Sequence, residues 1–219
     1  MLDGEFDLRK RSESIKIICG TDEAGRGPLA GPVAAGACIL PDGYIPEGLD
    51  DSKKLTEKKR EALYTQITEN ALAWGIGLAS AAEIDEINIL NASLLAMRRA
   101  IAATGVTPDL VLVDGSVNRG FDIRSEAVIG GDAKSPSIAA ASILAKVTRD
   151  RIMAELDGHI PPVEGAHLVR HHRKLRGGAH AVGEGGLADL LRSVPAAVAG
   201  GQQGDRQPLP LAQGGGGHQ

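Results

Sequence analysis

Apolar residues in the first 157 positions recur in short blocks that alternate between extended and helical patterns. Blocks rich in alanine and β-branched residues, bounded by glycine, proline or aspartate, predict strands. Helical spacing predicts helices, one capped by Thr56 and another opened by Ser135 and Pro136. The predicted strands span 15–21, 33–40, 74–79, 109–114 and 127–129, and the predicted helices span 56–70, 80–85, 88–104 and 135 to about 156. Strands mixed with helices predict an α/β domain of two or three layers.

The two ends of the chain have a different character. Residues 1–14 are charged and aperiodic, which predicts a loose leader. No Phe, Trp or Tyr follows Phe121, and glycine, histidine, arginine and alanine crowd residues 158–201. Residues 202–219 include four consecutive glycines and are of low complexity, which predicts disorder. We therefore expect a leader (1–14), a folded domain (15–157), an atypical segment (158–201) and a disordered tail (202–219).

Composition narrows the class of protein. Only 2% of the 219 residues are aromatic, so the core must consist mainly of Ala, Val, Ile and Leu. The net charge of −4 argues against a protein that coats nucleic acid by bulk attraction, although a local basic groove stays possible. Cys19 and Cys38 lie in apolar segments without metal-site spacing, which predicts buried thiols in a reducing compartment.

The sequence also carries signals about location. The acidic start does not fit a secretion signal. No apolar run reaches the roughly 18 residues that a membrane span needs. We expect a cytoplasmic monomer that does not associate with membranes.

Four acidic residues occupy special places in this pattern. Asp22 and Glu23 follow the first apolar run, Asp114 ends a predicted buried strand, and Asp132 lies just before the helix that Ser135 opens. Neighbouring strands would bring such ends to one edge of a sheet. Two carboxylates about 4 Å apart repel by roughly 4 kcal/mol at an effective dielectric of 20, so protons or cations must compensate. Oxygen ligands favour Mg²⁺ or Mn²⁺ over Zn²⁺, although each acid taken singly is more typical of a turn or cap.

Two basic elements accompany the acids. Gly25, Arg26 and Gly27 form a turn whose open backbone can approach a phosphate or sugar closely. Lys53 and Lys54 follow in a later loop and could contact phosphates, or simply be a solvated pair before a helix. The sequence contains neither of the glycine-rich nucleotide-binding fingerprints, which argues against a nucleotide-binding α/β protein.

Four blocks of the sequence together resemble the ribonuclease HII family, the type 2 ribonucleases H. The blocks are residues 20–33, 51–55, 113–115, and 131–135 running on through 138–150. They are dense and correctly ordered, and the resemblance covers roughly residues 15–157. It implies an α/β fold of the ribonuclease H-like type, with a mixed sheet flanked by helices, here followed by an atypical, partly disordered C-terminal tail.

The resemblance also implies an activity and a site. The activity is endonucleolytic hydrolysis of the RNA strand of RNA–DNA hybrids, and cutting at ribonucleotides embedded in duplex DNA, with Mn²⁺ or Mg²⁺ as cofactor. By position, the family's catalytic acids match Asp22, Glu23, Asp114 and Asp132. The metal is assigned to the first three of these.

The remaining matches concern substrate. The family's turn that recognises the ribose 2′-hydroxyl matches Gly25, Arg26 and Gly27, and the phosphate contacts fall on Lys53 and Lys54. The small residues 139–142 favour close packing of their helix on the sheet, whereas Lys146 and Arg149 could face either nucleic acid or solvent.

The chain departs from the family after residue 157. The family continues with a tyrosine-containing segment whose tyrosine lies against the sugar at the cut site, but this chain has no tyrosine there. One hypothesis is that the tail is read in a shifted frame or has been replaced. The alternative is genuine divergence, with the basic run 171–176 touching phosphates. An alternative function follows, that of a hybrid-binding protein whose cleavage is impaired or lost.

Overall fold

The computed structural model describes residue 2 and residues 4–28, 30–159 and 197–200. The mixed α/β architecture with helices flanking a sheet is confirmed. In chain order the elements are α1 (Glu5–Lys10), β1 (Ile18–Ala24), β2 (Val33–Ile39), α2 (Glu57–Asn70), β3 (Ala73–Ala79), α3 (Ala81–Ala103), β4 (Leu110–Asp114), β5 (Ser125–Val128), a 3-10 turn (Gly131–Ala133), α4 (Pro136–His159) and β6 (Ala197–Gly200).

The sheet is mixed, with strand order β5-β4-β1-β2-β3-β6. The pairs β5–β4 and β4–β1 are parallel. The pairs β1–β2, β2–β3 and β3–β6 are antiparallel. Strand β2 is buried along its whole length, as expected for a central strand covered on both faces. The parallel junction of β1 and β4 is the part of the sheet that positions the acidic residues.

Helices cover both faces and create two main apolar cores. Helices α4 and α2 cover one face, and α3 covers the other. Close approach of α4 depends on glycine, since a Cβ on Gly20 would lie 2.2 Å from the backbone carbon of Ser137, and one on Gly36 would lie 2.3 Å from the carbonyl oxygen of Ala141. The predicted packing role of residues 139–142 is confirmed, because all four are buried against the sheet.

The predicted helix boundaries hold because the capping side chains form their bonds. Thr56 accepts a hydrogen bond from the backbone N–H of Lys59, and Ser135 accepts one from that of Ile138. The predicted interruption of α3 is confirmed as well. Asn88 adopts φ 67°, and its Oδ1 accepts from the backbone N–H groups of the second and third residues after it, so it caps the second half of this helix.

The expectation of a loose leader is wrong for residues 5–10, which form α1. This helix is held by tertiary contacts that local pattern does not reveal. Asp7 accepts hydrogen bonds from both the backbone N–H and the hydroxyl of Ser137, and Lys10 pairs with Glu126. The N-terminal segment thus closes over the start of α4.

Strand β1 is displaced from its predicted position of 15–21. The strand begins at Ile18, because the backbone N–H groups of Lys16 and Ile17 donate to Oδ2 of Asp109 and not to a neighbouring strand. At its other end β1 continues through Asp22 and Glu23, which pair with β2. The acids therefore lie within the strand, not beyond it.

In the segment 158–201 the structure describes residues 158–159, which end α4, and strand β6, which pairs with β3 at the sheet edge. The rest of that segment and the predicted disordered tail 202–219 lie outside the described residues. None of the helices in the described ranges combines the length and apolar character needed to cross a membrane. Cys19 and Cys38 are free and buried, as predicted, and lie in the cores on opposite faces of the sheet.

Candidate active site

Asp22 and Asp114 lie side by side on the parallel strands β1 and β4. The register pairs Thr21 with Val113, so the next residue of each strand is one of these acids. Neighbouring strands are about 4.8 Å apart. Asp22 is only 6% exposed, whereas Asp114 is half-buried at the strand end. The sequence prediction that these two acids meet at one sheet edge is confirmed by the register.

Asp132 approaches these two acids from another element, and Glu23 follows Asp22 on β1. The turn Gly131–Ala133 carries Asp132, which is 6% exposed, and this turn is fixed to β4 because the Gly131 N–H donates to Oδ1 of Asp114 at 2.7 Å. Neighbouring strand residues start on opposite faces, so Glu23 leaves β1 on the side opposite to Asp22. Its carboxylate then meets Arg26 at 3.2 Å.

Each of the four carboxylates uses one oxygen in a hydrogen bond to the protein. Oδ1 of Asp22 accepts from the Glu23 N–H at 2.7 Å, and Oδ2 of Asp132 accepts from Lys53 at 3.3 Å. Among residues 4–28 and 30–159, no three Asp, Glu, His or Cys side chains lie close enough together to hold a metal ion. Metal binding by these acids therefore stays a prediction.

The charges nevertheless act on one another. Burial raises the pKa of Asp22 well above its usual value, and the neighbouring charges of Glu23, Asp114 and, more weakly, Asp132 raise it further. Burial also raises the pKa of Glu23, although Arg26 opposes this shift. A buried carboxylate among like charges is stabilised by a cation, and donors that are all carboxylate oxygens fit Mg²⁺ or Mn²⁺.

The glycine turn lies directly after β1, next to these acids. Gly25 has φ 115°, and a Cβ there would lie 2.5 Å from Nε of Arg149, so the fold requires glycine at this position. Gly27 differs, because a Cβ there would meet no atom within 4 Å and its φ is not positive. Arg26 is 47% exposed. The turn thus presents an open backbone and an available guanidinium beside the acids.

The two predicted substrate lysines differ in their surroundings. Lys53 is 78% exposed and reaches Asp132 across the site. Partial burial lowers its pKa, but Asp132, Asp22 and Asp51 outweigh this effect, so the pKa of Lys53 is raised. Lys54 points away and pairs with Asp50 at 3.1 Å. The structure therefore brings Lys53, but not Lys54, to the acids.

Arg149 is a residue whose position the sequence did not reveal. The sequence left it facing nucleic acid or solvent, but it is only 2% exposed and faces neither. Its guanidinium donates to the carbonyl oxygens of Pro32 and Ala30 at 3.1 and 3.0 Å, below the loop that follows the glycine turn. Helical spacing offered a partial signal, since Arg149 lies seven residues after the buried Ser142. Lys146, by contrast, is part-exposed and pairs with Asp150 at 2.6 Å.

Comparison with known proteins agrees with this geometry. The family model described as Ribonuclease HII matches residues 19–167. Ribonuclease HII of Burkholderia pseudomallei (strain 668) is 55% identical over 146 residues, which cover 67% of this chain and 68% of that protein.

Solved structures show the same fold. The ribonuclease H2 from Pyrococcus horikoshii OT3 superposes with a TM-score of 0.58 at 29% identity, covering 65% of this chain and 76% of that one. Bst-RNase HIII in complex with Mn²⁺ has a TM-score of 0.58 at 19% identity, covering 67% and 56% of the two chains. The chain therefore belongs to the ribonuclease HII family, which comprises divalent-metal-dependent ribonuclease H endonucleases that act on RNA–DNA hybrids.

Proposed function

We propose that this chain hydrolyses the RNA strand of RNA–DNA hybrids and also cuts at single ribonucleotides embedded in duplex DNA, with the help of Mn²⁺ or Mg²⁺. The observation that carries the proposal is the adjacency of Asp22 and Asp114 on the parallel strands, directly beside a turn with an open backbone and a half-exposed arginine. Two of the acids, Asp22 and Glu23, belong to the strand that leads directly into the turn. The residues that cleave and the residues that recognise the sugar would therefore be held in a fixed position relative to one another.

The metal would be held by Asp22, Glu23 and Asp114. When bound, divalent cations supply Lewis-acid chemistry for phosphodiester hydrolysis. The raised pKa of Asp22, caused by burial and by the acids around it, supports this assignment because a cation would relieve the repulsion. To bind the metal, Glu23 would give up its hydrogen bond from Arg26. Arg26 would then be available to the substrate.

Asp132 completes the proposed catalytic set from outside the strands. It is buried, and the bond between Gly131 and Asp114 fixes its turn to the strand that carries a proposed metal ligand. Lys53 now holds Oδ2 of Asp132. Substrate phosphate would compete for Lys53, leaving Asp132 able to orient or accept a proton from a reacting group.

Substrate recognition would use the glycine turn and the lysines. A ribose 2′-hydroxyl both donates and accepts hydrogen bonds, so backbone groups can read it. Gly27 supports this role because the fold itself does not require glycine there, yet its missing side chain leaves room for a ligand. Arg26 and Lys53 would neutralise phosphates, and Lys54 would do so only after leaving Asp50.

A second candidate function is hybrid binding with little or no cleavage. It is favoured by the composition after Phe121, which offers no aromatic side chain to lie against the sugar at the cut site. Stacking on an aromatic side chain is worth on the order of 1–3 kcal/mol per base in nucleic-acid sites. Loss of that contact would weaken positioning of substrate and leave the acids in place.

The deciding experiment compares cleavage with binding on one set of substrates. The full chain is incubated with Mn²⁺ or Mg²⁺ and a DNA duplex that contains one ribonucleotide, an RNA–DNA hybrid, or an all-DNA duplex. The enzyme proposal predicts multiple turnovers on the first two and none on the third. Binding of the ribonucleotide duplex without turnover would support the second candidate. Equal binding and equal cleavage of all three substrates would contradict both candidates.

The proposed setting is the cytoplasm, with the chain acting as a monomer that does not associate with membranes. The support is the pair of free, buried cysteines, which suits a reducing compartment. Sedimentation of the purified chain at micromolar concentration tests the monomer directly.

A further inference from the structure

Two loops carry the residues proposed to bind substrate, and adjacent residues of α4 hold both of them. The first loop runs from the glycine turn to the start of β2, and the second precedes α2. Arg149 lies under the first loop, where its Nε donates to the Pro32 carbonyl at 3.1 Å and its Nη2 donates to the Ala30 carbonyl at 3.0 Å. A planar guanidinium that makes two parallel bonds fixes both position and direction.

The fit around Arg149 is tight. A Cβ on Gly25 would lie 2.5 Å from Nε of Arg149, and a Cβ on Gly31 would lie 2.4 Å from Sδ of Met153, one turn later on α4. Both glycines have positive φ, 115° and 86°. The loop therefore lies directly on the side chains of α4, and its path depends on the place of the guanidinium.

Arg149 carries its charge without an ion pair in the described part of the chain. Burial lowers the pKa of its guanidinium, and neighbouring Asp150 opposes that shift. Carbonyl oxygens are its hydrogen-bond partners, and a buried cation is unfavourable unless such partners are well placed. A buried arginine at this position therefore indicates that the guanidinium does more than fill space in the core.

Asp150 reaches the second loop through Arg60. Its Oδ2 lies 3.7 Å from Nη2 of Arg60, and its Oδ1 accepts from Lys146 at 2.6 Å. Arg60, on α2, donates through Nη1 to the carbonyl oxygens of Leu55 at 2.6 Å and Ser52 at 3.3 Å. These two carbonyls flank the proposed substrate lysines of the second loop.

We propose that Arg149 and Asp150 are positioning residues that set the two substrate loops against each other. Arg149 holds the loop of Gly25–Arg26–Gly27 directly, and Asp150 holds the loop of Lys53 through Arg60. This inference rests on the proposed function for its effect on substrate. The mechanical part, which residue holds which loop, stands on the contacts alone.

The test uses trypsin as a local probe, because each loop contains its own cleavage site. The first loop can be cut after Arg26 and the second after Lys53 or Lys54, of which the site after Lys54 is followed. The full-length variants are Arg149→Met, Arg149→Lys, Asp150→Asn and Arg60→Met, each digested under native conditions with the cut positions mapped by mass spectrometry. Arg151→Met is the matched control, since Arg151 lies on the same helix and contacts α2 through Glu61 and the Tyr64 ring but touches neither loop.

Loss of a hydrogen bond to a charged group changes a local equilibrium by roughly tenfold or more. We expect Arg149→Met to speed cutting after Arg26 by about tenfold with little change after Lys54. Asp150→Asn and Arg60→Met should give the reverse pattern, and unchanged cutting after Lys54 in Asp150→Asn would remove Asp150 from this role. Arg149→Lys should fall between Arg149→Met and wild type, because lysine keeps the charge but cannot donate to two carbonyls as a planar guanidinium does. Arg151→Met should leave both rates as in wild type.

A parallel kinetic comparison separates this inference from the proposed function. On the ribonucleotide-containing duplex, Arg149→Met should raise KM about tenfold and change kcat less, whereas a merely structural defect would lower the active fraction at constant KM. A wild type that fails to cut would refute the function yet leave the digestion test valid. Unchanged cutting after Arg26 in Arg149→Met, or equal acceleration at both sites in every variant, would overturn the positioning roles.

Discussion

Nζ of Lys53 lies 3.3 Å from Oδ2 of Asp132, so one proposed substrate lysine pairs with one proposed catalytic acid. The two residues are 79 positions apart in the chain and belong to different loops. The pair keeps Asp132 compensated while no phosphate is present. A phosphate that draws Lys53 away would uncover the acid, which links substrate arrival to the readiness of the site.

Replacing Lys53 tests this link. Lys53→Gln should raise KM for the ribonucleotide duplex by about tenfold, because one phosphate contact is lost, and should lower the dependence of binding on salt. Mn²⁺ binding measured by calorimetry should be unchanged or tighter, since the Lys53 charge that acts on Asp22 no longer repels the metal ion. Lys58→Gln, at an exposed position on α2, is the control. Weaker Mn²⁺ binding in Lys53→Gln would contradict the competition between lysine and metal.

The two glycines of the turn should respond differently to alanine. Gly25→Ala should lower the free energy of unfolding by about 1 to 3 kcal/mol or more, because φ is 115° and the new methyl would meet Arg149 at 2.5 Å. Gly27→Ala should unfold at the wild-type denaturant concentration, since its Cβ would meet nothing within 4 Å. The second variant should nevertheless bind the ribonucleotide duplex more weakly. Urea unfolding and fluorescence anisotropy check both, and normal binding by Gly27→Ala would remove that residue from the substrate site.

The start of α3 should make stability depend on pH. Glu83 accepts from Arg99 and from Ser80, and these bonds, with those from Arg99 the strongest, lower its pKa to about 2 from the ordinary 4.5. Because the pKa is lower in the folded state, the stabilisation is complete above about pH 4.5 and is lost as pH falls toward 2. Glu83→Gln should cost about 1 to 2 kcal/mol at pH 7 and flatten this acid dependence.

Urea unfolding at several pH values measures that effect. Glu86→Gln is the matched control, since Glu86 is exposed on the same helix. The account of this cap would be contradicted if Glu83→Gln and Glu86→Gln lost the same free energy of unfolding at pH 7. It would also be contradicted if the stability of the wild type did not decrease as the pH is lowered from 4.5 toward 2.

The two cysteines should resist thiol reagents. Burial raises the pKa of Cys19 to about 12 and raises that of Cys38 well above its usual value. Only the thiolate reacts, so labelling of the native protein at pH 8 should be slower by on the order of 100-fold or more than labelling in denaturant. Rapid stoichiometric labelling of native protein would show that these strands open. The same opening would be expected to expose Thr21 and the start of the acidic site, since they belong to the same strand as Cys19.

Much of the fold could be predicted because it depends on local pattern. The caps at Thr56 and Ser135 and the break at Asn88 use side chains that bond to backbone within three residues. Strand β1 was misplaced for the opposite reason. Its start is decided by Asp109, more than 90 positions away, and its end by pairing of polar residues with β2. The helix α1 likewise depends on a contact with Ser137.

The site shows the same division. The adjacency of Asp22 and Asp114 follows from apolar runs that end in acids, so the sequence could predict it. The different tasks of Lys53 and Lys54 could not be predicted, because the partner of Lys53 lies on a distant turn. Arg149 was also missed, since a charged residue on a helix is normally solvated and only the tertiary structure provides carbonyl partners for it.

Cleavage by wild type and Asp22→Asn of a DNA duplex that carries one ribonucleotide, in Mn²⁺ or Mg²⁺, tests the central claim most directly. The asparagine keeps the size and the bond to the Glu23 N–H but removes the charge that a cation would need. We predict a nick at the ribonucleotide by wild type and a loss of at least about 100-fold in rate for the variant. Equal cutting by both proteins would contradict the account.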